Sequence, residues 1–310
     1  MKNAIFIPSV PQSAWLRDVL LGVSPTELPL AGRRYIDYAL EAAVRFGVVM
    51  AEVLDWRYTE RLQGEFSDLT RTSIPIFYQK GEGEVPHGLR DLSRQSSPLT
   101  SNMEDGYIVV WGLALPHLNS DDAALEPLTD EELAETPVGT YRLSQGRWMR
   151  VLPRGFVVKN VQTWFGLNMI LLKNAYGFTL PGYSAESGVH IGTNVVLEKG
   201  TEAKPPVIVG DNAWCARNVD IDGKVIIGNG AVVAEGVRLH KTIICDDTFV
   251  GQGLDLSNKI VNGNRIIDGL TGVWTDVEDA GIARRITPPS LGWLGKVWRF
   301  FAGTSMGRRD

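Results

Sequence analysis

The sequence predicts a mixed α/β half, then a parallel β-helix, then a short helical tail. Three observations predict this. Up to residue 178, apolar runs of strand length alternate with stretches of helical period. Between 184 and 268, apolar residues return every six positions. From 288 onward a strongly apolar stretch carries its large side chains on one helical face. The expected boundaries are 1–178, 184–268 and 269–310.

In the first half, Lys2 to Ile7 reads as a strand. Arg33 to Phe46 reads as a helix, because Tyr35, Ala39, Ala42, Ala43 and Phe46 recur at spacings of three or four. "VVMAEVL" (48–54), "IPIFYQ" (74–79) and "YIVVWGLAL" (107–115) read as strands, with a helix over Tyr58 to Phe66. Strand alternating with helix implies a mainly parallel sheet. Residues 119–137 are acidic and contain proline, which predicts a loop with a short helix. "TYRLSQGRWMRVL" (140–152) predicts a hairpin turning at Gly146. "TWFGLNMILLKN" (163–174) predicts a helix with Trp164, Leu167, Asn168 and Leu171 on one side, and the Gly/Pro/Ser-rich 175–187 reads as the junction.

The six-residue beat runs through Ile191, Leu197, Ala203, Val209, Cys215, Ile221, Ile227, Val233, Leu239 and Cys245, all apolar. Four positions further along stand Val195, Thr201, Val207, Ala213, Val219, Val225, Ala231, Val237, Ile243 and Phe249. Neither a helix nor a flat strand keeps such a beat. Stacked coils do, each burying its apolar column on the next and protecting its neighbour's edge. Gly192, Gly210, Gly228 and Gly251, with Asn and Asp, are expected at turns where they tolerate positive φ. Both cysteines fall on the inward column and read as small buried hydrophobes. In the tail, Leu291, Leu294, Val297, Trp298 and Phe301 share one face of a helix. That helix packs on the β-helix or on a second copy; the sharper alternative is contact of residues 290–301 with a membrane surface or a membrane-bound glycosyltransferase.

Composition narrows the function. The chain has 310 residues, 44% hydrophobic and 22% charged, with a net charge of −5. An acidic balance argues against nucleic acid as a partner. The opening apolar run is broken by Pro8 and is too short for a signal peptide, and no stretch of about 18 apolar residues spans a membrane. A cytoplasmic protein is expected, peripheral to the inner membrane if the tail binds it. Two cysteines form no disulfide framework, and His87, His117, His190 and His240 lack metal-ligand spacing.

"LPLAGRRYIDYALEAAVRFGV" (28–48), "WFGLNMILL" (164–172) and "GQGLDLSNKIVNGNRIIDGLTGVWTDVED" (251–279) carry a resemblance. Together with the coil repeat they resemble the sugar-1-phosphate nucleotidyltransferases (NDP-sugar pyrophosphorylases). The resemblance implies a Rossmann-like nucleotidyltransferase domain, a left-handed hexapeptide-repeat β-helix, a homo-oligomer, and a setting in bacterial cell-surface polysaccharide synthesis. It implies a nucleotide sugar or sugar phosphate as ligand.

Nucleotidyl transfer needs amides that cradle a triphosphate, cations, and Mg2+ held by carboxylates. The family supplies a Gly-rich loop after strand one, a lysine in a Pro-Lys-Pro turn, and two aspartates. After strand one this chain has only Gly22, while Pro8 and Pro11 remove N–H donors. Arg17 is the candidate for the family arginine. The lysine position falls near Pro25 and Thr26, the first aspartate position is Leu113 after Gly112, and the second is Asn160. The expectation is a catalytically degenerate relative with a binding or assembly role; the alternative is an active nucleotidyltransferase using Mg2+. Asp55, His87 and Asp105 are candidates for substrate binding. A third reading is a hexapeptide-repeat acyltransferase, with His190 or His240 as outward-pointing base.

Overall fold

A computed structural model of the chain describes residues 2–8, 10–20, 23–45, 47–56, 74–81, 84–92, 106–115, 124–152, 155–174, 176–186 and 188–286. The expected helices at 58–66 and in the tail, and the candidate Asp105, lie outside the described residues.

The first half is built on β1 (Lys2–Ile7), followed by the short helix α1 (Leu16–Val19). A two-strand turn, β2 (Pro29–Leu30) and β3 (Arg33–Arg34), leads into α2 (Tyr35–Arg45). Then come β4 (Val48–Asp55), β5 (Ile76–Lys80), α3 (Leu89–Leu92), β6 (Ile108–Trp111) and β7 (Ala114–Leu115). β8 (Ala124–Pro127), α4 (Asp130–Ala134), β9 (Gly139–Ser144), β10 (Arg147–Leu152), β11 (Phe156–Val157) and α5 (Val161–Leu171) follow among the described residues. The main sheet has the order β5-β4-β1-β6-β9-β10-β8. Its first four strands are parallel and the rest antiparallel. β6, and β4 from Ala51 onward, are buried on both faces, which accounts for their largely apolar sequences.

Two expectations need correction here. Residues 124–127 form an edge strand rather than loop; its exposed, Pro-ended sequence suits the sheet's outer edge. The run 107–115 is two strands, broken where Gly112 turns at φ 69 so that β7 leaves to pair with β11. The hairpin at 139–152 is as expected, with Gln145 and Gly146 both at positive φ (50 and 71), the conformation of a two-residue turn.

The second half begins with β12 (Tyr183–Glu186) and β13 (Val189–Ile191). The chain then visits three sheets in turn. β14 (Val196–Leu197) and β15 (Glu202–Lys204) are followed by β16 (Val207–Val209), which pairs in parallel with β13. The next coils repeat this: β17 (Trp214–Cys215), β18 (Asp220–Asp222), β19 (Val225–Ile227), β20 (Val232–Val233), β21 (Arg238–His240), β22 (Ile243–Ile244), β23 (Thr248–Val250), β24 (Asp255–Ser257) and β25 (Lys259–Asn262). Three sheets of stacked parallel strands result, an arrangement compatible with a β-helix. β26 (Arg265–Asp268), β27 (Trp274–Asp276) and β28 (Ala283–Arg285) then pair antiparallel: β26 with β25, β27 with β26, and β28 with β23.

The six-residue frame does not run unbroken to Cys245. Val209 pairs with Ile227, eighteen residues on, but Ile227 pairs with Ile244, only seventeen on. The corner at Lys241–Thr242 is one residue short, so Ile244 takes the inward place and is fully buried. The same shortening recurs before Val261, since Ile244 pairs with Val261. Cys245 is therefore not on the inward column, and Ile243 and Phe249 leave their expected column too. Cys245 is still buried, but within the core of the first half. Cys215 keeps its inward place. Burial pushes both thiols up to about 12.

Gly192, Gly210 and Gly228 are not the positive-φ residues; Asn194, Asn212, Gly230 and Asp247 hold that place. The three glycines leave room for the next coil. A Cβ on them would lie 2.5, 2.6 and 2.4 Å from Oδ1 of Asp211, Asn229 and Asp246. Those oxygens accept from the amides of Thr193, Asp211 and Asn229 at 2.6–2.8 Å, a ladder of side-chain caps between coils.

The halves join through the first sheet of the stack. Its outward residues Ile208, Ile226, Ile243 and Ile260 are buried and belong to the core of the first half. Gly269 lies against the Phe165 ring, and Gln162 Nε2 donates to the Thr271 carbonyl at 2.7 Å. The junction is pinned to α2 by Glu41, which pairs with Arg33 and Arg45 and accepts from the Thr179 amide.

Candidate functional site

The chain leaves β1 towards β4 and β5, then returns on the other side of β1 as β6. In open α/β sheets ligands bind at the carboxyl ends of the strands where the order reverses. Here that place lies between the ends of β1 and β6. It is filled with apolar side chains. Methyl groups of Val10 and Val138 stand only 2.9–3.0 Å from where a Cβ on Gly112 would be. Val10 and Val138 are buried, and Leu113, at the expected aspartate position, is fully so. The loop after β1 folds inward: Ser13 Oγ donates to the Pro8 carbonyl, and Leu16, Val19 and Leu20 enter the core.

Asp55 stands at the end of β4 and is fully buried. Its Oδ2 accepts from Thr26 Oγ1 at 2.5 Å and from Tyr78 OH at 3.2 Å. Thr26, near the position where the resemblance puts a lysine, is thus held by the aspartate as part of the turn before β2. That turn is braced from the far end of the half. Trp164 Nε1 donates to the Pro29 carbonyl at 2.7 Å, and the Ala31 amide donates to Asn168 Oδ1 at 2.7 Å. Tyr35 OH donates to the carbonyls of Gly112 and Ala114. The residues that carry the resemblance in 28–48 and 164–172 are here each other's structural partners.

The remaining candidates are scattered. Arg17 is exposed on α1. His87 is exposed before α3, its carbonyl accepting from the Thr136 amide. Asn160 is exposed and caps α5, its side chain accepting from the Thr163 amide in a capping box. A buried leucine and a helix-capping amide do not fit a magnesium ion, which takes charged oxygen ligands. Among the described residues no group of three His, Cys, Asp or Glu is placed to hold a metal.

The histidines lie on different sheets. His190, on β13, stands in register with Ile208, in the outward row that meets the first half, and burial lowers its pKa. His240, on β21, stacks between Asp222 and Ser257, with Nδ1 2.9 Å from the Asp222 carbonyl. They cannot share one site. Sequence reasoning missed Val10, Val138 and Tyr78, and read Thr26 only as an uncharged residue near the lysine position; only the apolar character of "PSV" and of "PVG" hinted at the first two. Among the described residues no helix is long and apolar enough to cross a membrane. No family model matches the chain, and no curated protein matches it.

Proposed function

We propose that this chain is a sugar-nucleotidyltransferase-like protein that no longer performs nucleotidyl transfer and serves in binding or assembly during bacterial cell-surface polysaccharide synthesis. On this reading the first half is a Rossmann-like nucleotidyltransferase domain and the coil stack is a left-handed hexapeptide β-helix. One observation carries the loss of catalysis: Val10 and Val138 close on Gly112 where magnesium triphosphate would have to lie. Losing a single stabilising donor already costs on the order of 10²–10³ in rate; here the place for cation and phosphate is packed with methyl groups. The test is pyrophosphate release from panels of nucleoside triphosphates and sugar-1-phosphates with magnesium. No release above a heat-denatured control is expected, and clear turnover overturns the reading.

An assembly role is supported by the outward row of the second sheet. Val196 and Trp214 are 48% and 47% exposed, with Val232 and Phe249 half-buried above them in register. A second copy covering this row makes the protein a homo-oligomer. Sedimentation of the full chain checks it: Trp214→Lys is expected to dissociate the oligomer, and a wild-type monomer at tens of micromolar removes this part.

A further inference from the structure

Three lysines from distant parts of the chain converge where α5 ends against the coil stack. Lys173 follows α5, while Lys224 and Lys241 occupy the same corner, between the third and first sheets, of successive coils. The Lys241 amide donates to the Gly223 carbonyl at 3.2 Å, which stacks one corner on the other. Lys173 and Lys241 both lie near enough to Lys224 for their charges to act on it. Among the described residues none of the three forms an ion pair, whereas Lys204 and Lys259 on neighbouring strands do.

Lys173 alone is ordinary, since a cation beyond a helix C-terminus complements the dipole. The corner lysines are not. Both sit in the left-handed region, at φ 55 and 44, which side chains other than Gly, Asn and Asp rarely adopt. One coil later the same corner holds Asn258 at φ 55, the residue type that backbone needs alone would select. Burial, and then the nearby Lys173 and Lys241 ammonium groups, push the Lys224 pKa below the ordinary lysine value. Strained backbone and clustered like charge at one spot together mark a place that awaits a partner. The chain as a whole carries −5, so the cluster is not a by-product of a basic composition.

We propose that Lys173, Lys224 and Lys241 form a binding site for a multiply charged phosphoryl group, a phosphomonoester or a pyrophosphate. Compact ammonium groups on flexible stems suit such an anion as point charges. The site joins α5 to the coil stack, so a bound anion ties the two halves together. It does not depend on whether the strand-end crevice has kept any chemistry.

The test uses the full chain at about 0.15 M salt, where loose ionic contacts are screened. Inorganic pyrophosphate is titrated calorimetrically and in thermal-shift assays, and phosphatidic acid vesicles are tested by co-sedimentation to distinguish a free ligand from a lipid headgroup. Lys224→Asn with Lys241→Asn keeps the corner conformation and removes two charges; Lys199→Asn with Arg217→Gln removes two charges elsewhere. Saturable binding that falls at least tenfold in the corner variant and less than twofold in the control is expected. The corner variant without ligand is expected to melt at or above the wild type. Binding of vesicles alone supports the site with a membrane source. No binding of either probe, equal binding by the corner variant, or a corner variant that melts well below wild type without ligand overturns the proposal.

Discussion

Asn168→Ala tests whether the turn before α2 is held by α5. Asn168 and Ala31 are both 1% exposed, and the Ala31 amide donates to Asn168 Oδ1 at 2.7 Å. Ala31 and Gly32 are both at positive φ, so the turn cannot easily relax to another partner. Truncation leaves a buried N–H without an acceptor, which costs about 1–3 kcal/mol. The side-chain amide also donates to the Trp164 carbonyl at 2.9 Å, a weaker loss of about 0.5–1 kcal/mol because that carbonyl belongs to a helix. A destabilisation of about 2–3 kcal/mol is expected. Urea titration of the full chain measures it through the midpoint at constant slope. Hydrogen exchange reports the same bond locally, with the Ala31 amide losing protection before its neighbours in α2. A change below about 0.5 kcal/mol, the size of an ordinary surface substitution, refutes the bracing role.

Ile226→Ala empties part of the row that joins the halves and should cost about 2–4 kcal/mol, read as two separated unfolding transitions where the wild type shows one. Gly210→Ala drives a Cβ to 2.6–2.7 Å from Asn229 Oδ1 and amide, so it should destabilise the coil stack by about 1–3 kcal/mol in urea titration, although its φ is ordinary. Cys215 and Cys245, buried and with thiols pushed up to about 12, should not react with a thiol reagent at pH 8 until the chain is unfolded. The Asp268 carboxyl is held well below its usual range by Lys259 Nζ and then by the amides of Thr271 and Leu270. Because its folded value is depressed, its stabilisation is full above about pH 4 and fades as acid drives the pH towards the folded value. Acid titration of Lys259→Ala should therefore lose stability less steeply below pH 4 than the wild type.

Much of the architecture was legible in residues 2–54 and 184–240. "IFI" and "IVVW" are strands sealed on both faces, as is "VVMAEVL" from Ala51 onward, and burial of that kind leaves a largely apolar run. The six-residue beat of the coils follows from packing one inward side chain per strand. The shortened corner at Lys241–Thr242 was hidden because Ile243, Ile244 and Cys245 are all apolar and satisfy either frame. Only pairing with the coil below decides which points inward. β8 was hidden because "ALEP" at an open edge has no buried face to impose alternation. Among candidate site residues, Asp55 was visible as a carboxylate ending a strand. Its fate depended on Thr26 and Tyr78, 29 and 23 residues away, which no local pattern reports. Lys224 and Lys241 were overlooked because turn positions draw the eye to glycine and asparagine.

The finishing strands β26 and β28 run against the direction of the coils they cover. A further coil placed after Asn262 would find its neighbours' hydrogen-bonding groups already taken by strands of the opposite sense. One inserted in the middle, as a unit of eighteen residues, would leave both closing strands with their partners. The stack is thus a column with a fixed lid, extendable from within but not at its top.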